Sequence, residues 1–480
     1  MKSTITFPVM CIGLTLLSLS TYAQQERILT PQEMKKDITF YFKELREMHP
    51  NVYEKYTASQ IDSVENQLLN QCCQSMSLFD FNYLLAKTTK YTDEFTYVEC
   101  DELTSLPEEY EDQYFPPAIF SKDTITVNGI NIISINDISS KKIINELDAL
   151  IPWQCITYIR QKKMNELLSP VLYKVFHITP PFTCKIQVKD TQSIQDTIFS
   201  PVDSPIEATP PLPKYYTEGP LSYDYFEKDS IALLFYNQEV AKAKARKNEY
   251  INYVTTFFNL MKGHNFKYLF IDLSQFKESS INQEEGESLF LPFLKTKPYE
   301  LILNITATSA GAKKYYDECY SQISGGKKKK ELPKAIQKGI EKDYPELNMF
   351  LSLAKDGKIE YPFKGEENSG EFDGKVFIIM GKDTGSKGRI LCERIKKGDA
   401  GILVGETPYV YIPASGNEFY EELPESGIKF LCTVLFTDLK EKESYHKDRF
   451  LQPDIPYKLI YPLKIKDYKE IIRISRERNL

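Results

Sequence analysis

Residues 375–395 read KVFIIMGKDTGSKGRILCERI, and the reading of this stretch decides the fold. Val376 to Met380 are apolar without alternation, the pattern of a strand buried on both faces. Gly381 to Gly385 are turn-formers, and a helix is expected from about Lys387 to Lys397. A further buried strand, Gly401 to Val404, follows. Working upstream, Ile231–Phe235 is a buried strand. Tyr250, Val254, Phe257, Phe258 and Met261 mark the apolar side of a helix. Tyr268–Ile271 is a second strand and Glu300–Leu303 a third. Strands that alternate with helices imply a largely parallel sheet with right-handed crossovers. Within this half, residues 311–372 are rich in Lys and Gly, including Lys327 to Lys330. They are expected to form a solvated insertion, with anion binding as the lesser alternative.

The N-terminal half has a different texture. Thr30-Pro31-Gln32-Glu33 is a capping box with proline in the first helical position. Met34, Ile38, Phe42, Leu45 and Met48 recur at helical spacing until His49-Pro50 stops the helix. Ile61, Val64, Leu68 and Cys72 mark a second helix. Ser77 is placed to cap a third, with Phe81, Leu84 and Leu85 on its apolar side. From about residue 115 to 195 short β-rich runs take over. Asn128-Gly129 is a hairpin signal, Asn136-Asp137 a turn, and Ser139 or Ser140 a helix start. Pro201 to Pro213 reads as an extended linker.

Bulk properties bound the function. A basic start at Lys2, an apolar run from Ile5 to Leu19 and the small-residue site Thr21-Tyr22-Ala23 are the ordered parts of a secretory signal. No later segment is apolar for long enough to span a bilayer. The net charge of −7 argues against nucleic acid as a partner. Nine cysteines are scattered without zinc-ligand or disulfide-framework spacing. No metal or cofactor is implied.

Ser386 stands where the strand 376–380 gives way to a helix. A hydroxyl there lies beside unpaired backbone N–H groups and the positive end of the helix, a setting able to stabilise an oxyanion. Serine is also among the best helix N-caps, and on its position alone capping is the favoured reading.

Several stretches, taken in order, resemble the tail-specific (C-terminal processing) serine peptidases. That group includes the tricorn core domain, and the likeness is to Bacteroidetes-type secreted members with a helical cap. MHPNVYEKY (48–56) is similar to the run that ends their first helix. ITVNGINIISINDIS (125–139) resembles their PDZ-like segment, and KYLFIDL (267–273) the strand before their glycine-rich oxyanion loop. KVFIIMGKDTGSKGRILCERI resembles the strand, nucleophile turn and helix. AGILVGETPYVY (400–411), LPESGIKF (423–430) and LQPDIPYKL (451–459) follow in the family's order.

The resemblance puts Ser386 at the nucleophile position and Glu406 at the position of the glutamate that supports the charge relay. It also exposes three departures. The Gly-Asp-Gly-His-Thr motif that supplies the base corresponds to YTDEFTY (91–97), so Phe95 replaces the histidine, between Asp93 and Thr96. The dyad lysine of the alternative branch falls near Tyr409, Val410 and Tyr411. The oxyanion loop is SQFKESS (274–280), with Lys277 and Glu278 in place of glycines. A serine hydroxyl without a base is a poor nucleophile, and bulky residues tend to close an oxyanion hole. Lys387 points away from its helical neighbour. His177, His264 and His446 fall in a strand end, a pre-strand turn and a polar loop, without triad context. Tyr411 and Lys277 remain as stand-ins that only three dimensions can judge.

The expected fold class is α/β and multi-domain: a helical cap, a PDZ-like β-rich segment, and an α/β peptidase-like domain whose mostly parallel sheet is of crotonase-like type. The expected boundaries are 1–23 signal, 24–105 helical domain, 106–200 PDZ-like domain, 201–215 linker, 216–465 peptidase-like domain and 466–480 tail. The expected function is an exported pseudopeptidase, periplasmic or extracellular, that binds a peptide or an unstructured protein tail. The alternatives are an atypical active serine endopeptidase using Ser386, and an unrelated binding role in which residues 311–372 take a polyanion or glycan.

Overall fold

The computed structural model describes residues 27–155, 157–188, 193–205, 221–236, 247–276, 290–344, 346–409, 414–441, 446–447 and 450–480. The expected signal segment and residues 206–215 of the expected linker lie outside them. The main elements of the first half are α1 (Pro31–Met48), α2 (Ala58–Gln71), α3 (Leu78–Ala86), β1 (Tyr97–Val98), β2 (Ile119–Phe120), β3 (Ile125–Val127), β4 (Ile130–Ile135), α4 (Ser140–Ala149), α5 (Thr157–Lys174), β5 (Phe182–Gln187) and β6 (Ile194–Phe199). Those of the second half are β7 (Leu221–Phe226), β8 (Ile231–Tyr236), α6 (Lys247–His264), β9 (Tyr268–Asp272), β10 (Tyr299–Thr306), α7 (Ser309–Ile323), α8 (Lys334–Asp343), α9 (Glu346–Asp356), β11 (Lys358–Gly365), β12 (Lys375–Met380), α10 (Ser386–Lys397), β13 (Ile402–Gly405), β14 (Ala414–Glu422), β15 (Lys429–Leu439), β16 (Ile455–Pro456) and α11 (Ile465–Glu477).

The first sheet has the order β7-β8-β9-β12-β13-β16 and is parallel except for β7. Its strands are apolar throughout because both faces are covered. Ile378 and Met380 pack with Phe257 and Met261 of α6 and with Leu391 and Ile395 of α10. Phe377 and Ile379 face Tyr468, Ile471 and Ile472 of α11. Residues 466–480, expected as a tail, are therefore a correction. The Tyr468/Ile471/Ile472 spacing is an amphipathic stripe, and the helix it makes seals one side of the sheet.

A second sheet, antiparallel, runs β11-β10-β15-β14, with β1 added along β15. Here lies a second correction, because the strand expected at Glu300–Leu303 does not join the parallel sheet. Leu301 and Leu303 are buried while Glu300 and Ile302 are not, the alternation of a strand covered on one side only. Residues 311–372 are a third correction: they build α7, α8, α9 and β11 rather than a solvated insertion. Tyr316 and Tyr320 of α7 and Leu347, Phe350 and Leu353 of α9 share one core with Met34, Ile38 and Tyr41 of α1 and with Phe430 and Val434 of β15. The Lys327–Lys330 run still faces outward in part, and Lys329 pairs with Glu341.

The cap helices start where expected. Thr30 and Glu33 exchange hydrogen bonds across the first turn of α1 (2.8 and 3.3 Å), and His49 is the C-cap before Pro50. Asp37 faces inward and is fully buried. Its carboxylate accepts the backbone N–H groups of Glu425 (2.9 Å) and Ser426 (2.8 Å) in the tight turn between β14 and β15.

Residues 119–199 form a separate antiparallel sheet, β2-β3-β4-β5-β6. Asn128 and Gly129 have φ of +49° and +78°, as a type I′ turn requires, and Ser139 caps α4. The helix α5 was not legible in the sequence. Its Gln161, Asn165 and Ser169 stand four residues apart and bond the backbone of the strand-edge segment 115–120. Ser169 Oγ accepts Phe115 N–H (2.8 Å). Asn165 bonds both N–H and C=O of Ala118 (2.7 and 2.9 Å), and Gln161 does the same for Phe120 (2.7 and 2.6 Å).

Asp37→Ala strands two inward-facing N–H donors. Unfolding in urea should show a loss of about 2–3 kcal/mol for this variant, while Asp37→Asn, which keeps one acceptor, loses less.

Candidate functional site

Parallel strands β9, β12 and β13 end at one edge of the sheet, the edge where open α/β sheets place ligands. There the turn after β12 is stitched to the end of β9. Thr384, fully buried, donates from Oγ1 to Leu273 O (3.1 Å) and accepts Gly381 N–H (2.9 Å). Gly385 donates to Phe276 O at 2.9 Å. A Cβ at Gly388 would stand 2.9 Å from Phe276 Cδ1, so the Phe276 ring lies against the first turn of α10. Ser274 and Asp272, both buried, bond Tyr461, and Asp272 Oδ1 accepts Ser274 N–H at 2.9 Å.

Ser386 is the first residue of α10, and the cap position belongs to Gly385, which has no side-chain cap bond. The capping role favoured on sequence grounds is thus not the one Ser386 holds. Its side chain lies outside the described residues, as do Lys277, Glu278 and Tyr411. What the described neighbours establish is the electrostatics of the turn. A hydrolase needs N–H donors converging where negative charge develops. At Gly385 the donor is instead satisfied by the carbonyl of Phe276, and the loop after β9 holds that carbonyl in place.

Glu406 comes to the same edge. Gly405 has φ of +122°, and a Cβ there would lie 2.2 Å from Met380 O, so only glycine lets the chain leave β13 at this point. Glu406 N–H then bonds Met380 O (3.0 Å), and its carboxylate faces Lys382 Nζ at 3.5 Å. The ends of β12 and β13 therefore bring Ser386 and Glu406 to one edge, with Glu406 paired to a lysine.

Phe95 is carried by a different unit. Its backbone N–H bonds Asp93 Oδ1 (3.0 Å), and Thr96 Oγ1 accepts Thr433 N–H (3.0 Å) from β15. Asp93 Oδ2 meets His49 Nε2 at 2.8 Å, both side chains being buried. This pair is the feature the sequence reading missed, although both residues lay in quoted motifs. His49 Nδ1 accepts the N–H of Asn51 (3.0 Å), which requires the neutral ring with its proton on Nε2, donated to Asp93. Both ring nitrogens are committed, one to a carboxylate and one to a backbone N–H. The same carboxylate, after burial, helps push the nearby Cys432 thiol far above its ordinary range.

The other histidines are also placed. His446, expected in a polar loop, begins a short strand, and its buried ring meets Glu393 Oε1 at 2.7 Å. Glu393 in turn faces buried Arg389 at 3.3 Å, and burial pulls that guanidinium below its usual range against the pull of Glu393. The trio fastens the segment after β15 onto α10. His264 pairs with Glu227 at 3.0 Å. His177 is exposed just after α5, in a left-handed conformation rather than at a strand end. Among the described residues no group of three or more His, Cys, Asp or Glu side chains could hold a metal, and no helix is long and apolar enough to cross a membrane.

No family model and no curated protein matches the chain. Solved structures do. A point mutant of CPAF aligns with a TM-score of 0.51 and 12% identity, over 92% of this chain and 96% of that one. Mature CPAF gives 0.47 and 13%, over 92% and 96%. The photosystem II D1 C-terminal processing protease gives 0.38 and 9%, over 92% and 97%. At such identity the first likeness is one of fold: the α/β multi-domain architecture expected from the motifs is the one this chain adopts.

Thr384→Val keeps the shape of the side chain and removes both bonds that close the turn onto β9. A loss of about 2–3 kcal/mol is expected in urea denaturation, with faster amide exchange at Gly381 and Gly385.

Proposed function

We propose that this chain is an exported protein with the tail-specific serine peptidase fold whose catalytic machinery has been lost, and which binds peptides or unstructured protein tails. One observation carries the reading. The turn that resembles the base-bearing motif offers Phe95, and the imidazole beside it, His49, has its two nitrogens occupied by Asp93 and Asn51. Serine attack needs an acceptor for the hydroxyl proton, and a phenyl ring cannot supply one. The carbonyl of Phe276 on Gly385 N–H supports the same view, since it takes up a donor at the head of α10. Binding needs none of this chemistry. Extended segments can add to a sheet edge through main-chain hydrogen bonds alone. In this reading residues 106–200 are the PDZ-like unit, residues 1–23 a cleaved export signal, and Glu406 a relay position without a relay.

The place of Lys382 at this edge favours a second reading, an active serine endopeptidase of unusual type in which Lys382, released from Glu406, takes the hydroxyl proton. Lys382 lies in the turn that leads to Ser386, and a lysine that has shed its proton can act as a base. The two readings part on one experiment. The mature protein, incubated with a fluorophosphonate probe, should remain unlabelled and should turn over casein-type peptides about 10⁴- to 10⁶-fold more slowly than a peptidase with its base in place. Labelling that Ser386→Ala and Lys382→Ala both abolish would establish the second reading. Export is checked separately: the secreted chain should begin at Gln24 by N-terminal sequencing.

A further inference from the structure

The two edges of the β2–β6 sheet differ in kind. At the β2 edge, amides and a hydroxyl from α5 take up the backbone groups of Phe115, Ala118 and Phe120. Gln161 and Asn165 each give and receive there, so the edge is closed to an added strand. At the other edge β6 is the last strand and pairs only with β5 among the described residues. Its outer face carries Ile194 and Ile198, 63% and 64% exposed, with Asp196 midway between them. Natural edge strands are usually blunted by charge, proline or a bulge, and of these β6 carries a single charge, Asp196.

The charge on this edge is only partly compensated, because Lys185 feels Asp196 but gives its hydrogen bond to Asp137. Across the ladder from Asp196 stands Lys185, whose ammonium is held by Asp137 at 2.5 Å. Asp196 is thus the negative group on the open edge, flanked two residues away on each side by an isoleucine. In an added strand, residues facing Ile194, Asp196 and Ile198 would be two apart and on one face. We propose that β6 is the docking edge of this protein, and that its partner is an extended segment of the pattern apolar-x-basic-x-apolar, recognised internally rather than at a chain end. The apolar residues would cover the two isoleucines, and the basic one would meet Asp196.

This proposal rests on the peptide-binding reading and names its surface. The test uses the full mature chain and two fluorescein-labelled, C-amidated probes, Thr-Val-Gln-Lys-Gln-Val-Thr and Thr-Val-Gln-Glu-Gln-Val-Thr, followed by fluorescence polarisation. The lysine probe should bind, with the glutamate probe about fivefold weaker or worse. Ile198→Lys should abolish binding of the lysine probe, and Asp196→Lys should reverse the preference, both variants keeping the parent circular dichroism spectrum. Equal binding of the two probes, or no effect of Ile198→Lys, overturns the proposal. If amidated probes fail while the same peptides with free carboxylates bind whatever residue stands at 198, peptide binding survives and the β6 edge does not. If no probe of either kind binds, both fall. Self-association in sedimentation that Ile198→Lys abolishes would show a second copy on this edge and overturn the proposal as well.

Discussion

The architecture depends on the burial of β12 from both sides. Phe377 and Ile379 are held by α11, and Ile378 and Met380 by α6 and α10. A strand confined in this way delivers its last residue to one place, and the turn that follows must reverse within a few residues into α10. Thr384 and Gly385 close that reversal onto the end of β9, and Gly405 sends β13 past the same point. The positions of Ser386 and Glu406 follow from these constraints. A sheet can thus keep the geometry of its edge whatever side chains stand there, because the geometry is maintained by packing.

That separation explains the distribution of polar groups. Several buried polar side chains among the described residues link elements distant in sequence. His49 and Asp93 tie the end of α1 to the turn before β1, Glu393 and His446 tie α10 to the segment after β15, and Asp37 holds the β14–β15 turn. Removing either member of such a pair leaves the other buried and unpaired, which is costlier than never having had the pair. Histidines in these roles serve the fold.

Much of this was legible in the sequence, and the misses have physical causes. Continuous apolar runs identified β8, β9, β12 and β13, because nothing but two-sided burial selects such a pattern. The Thr30–Glu33 box and Ser77 marked helix starts through local bonds that need no tertiary context. Glu300–Leu303 was assigned to the wrong sheet because a short run cannot show by itself which faces are covered. Residues 311–372 were mistaken for a solvated segment because composition counts lysines without regard to side, while Tyr316, Tyr320 and Phe350 all face one way. α5 escaped because its buried side is partly made of amides that serve a neighbouring backbone. For the site, Ser386 was singled out by its place between strand and helix and then, with Glu406 and Phe95, as a candidate by motif order. The His49–Asp93 pair lay in two motifs whose contact only the folded chain reveals.

The bond between Asp37 and Ser426 spans 389 positions of the chain. The first helix can pack early on α2 and α3, but the rest of its seat, on β15, α7 and α9, forms only when most of the polypeptide exists. Contacts so remote in sequence carry a large loop-closure penalty and arise slowly. An amphipathic helix that emerges early and is only partly covered by its neighbours keeps some of its apolar stripe in water meanwhile, a stage at which wrong partners compete with the late ones.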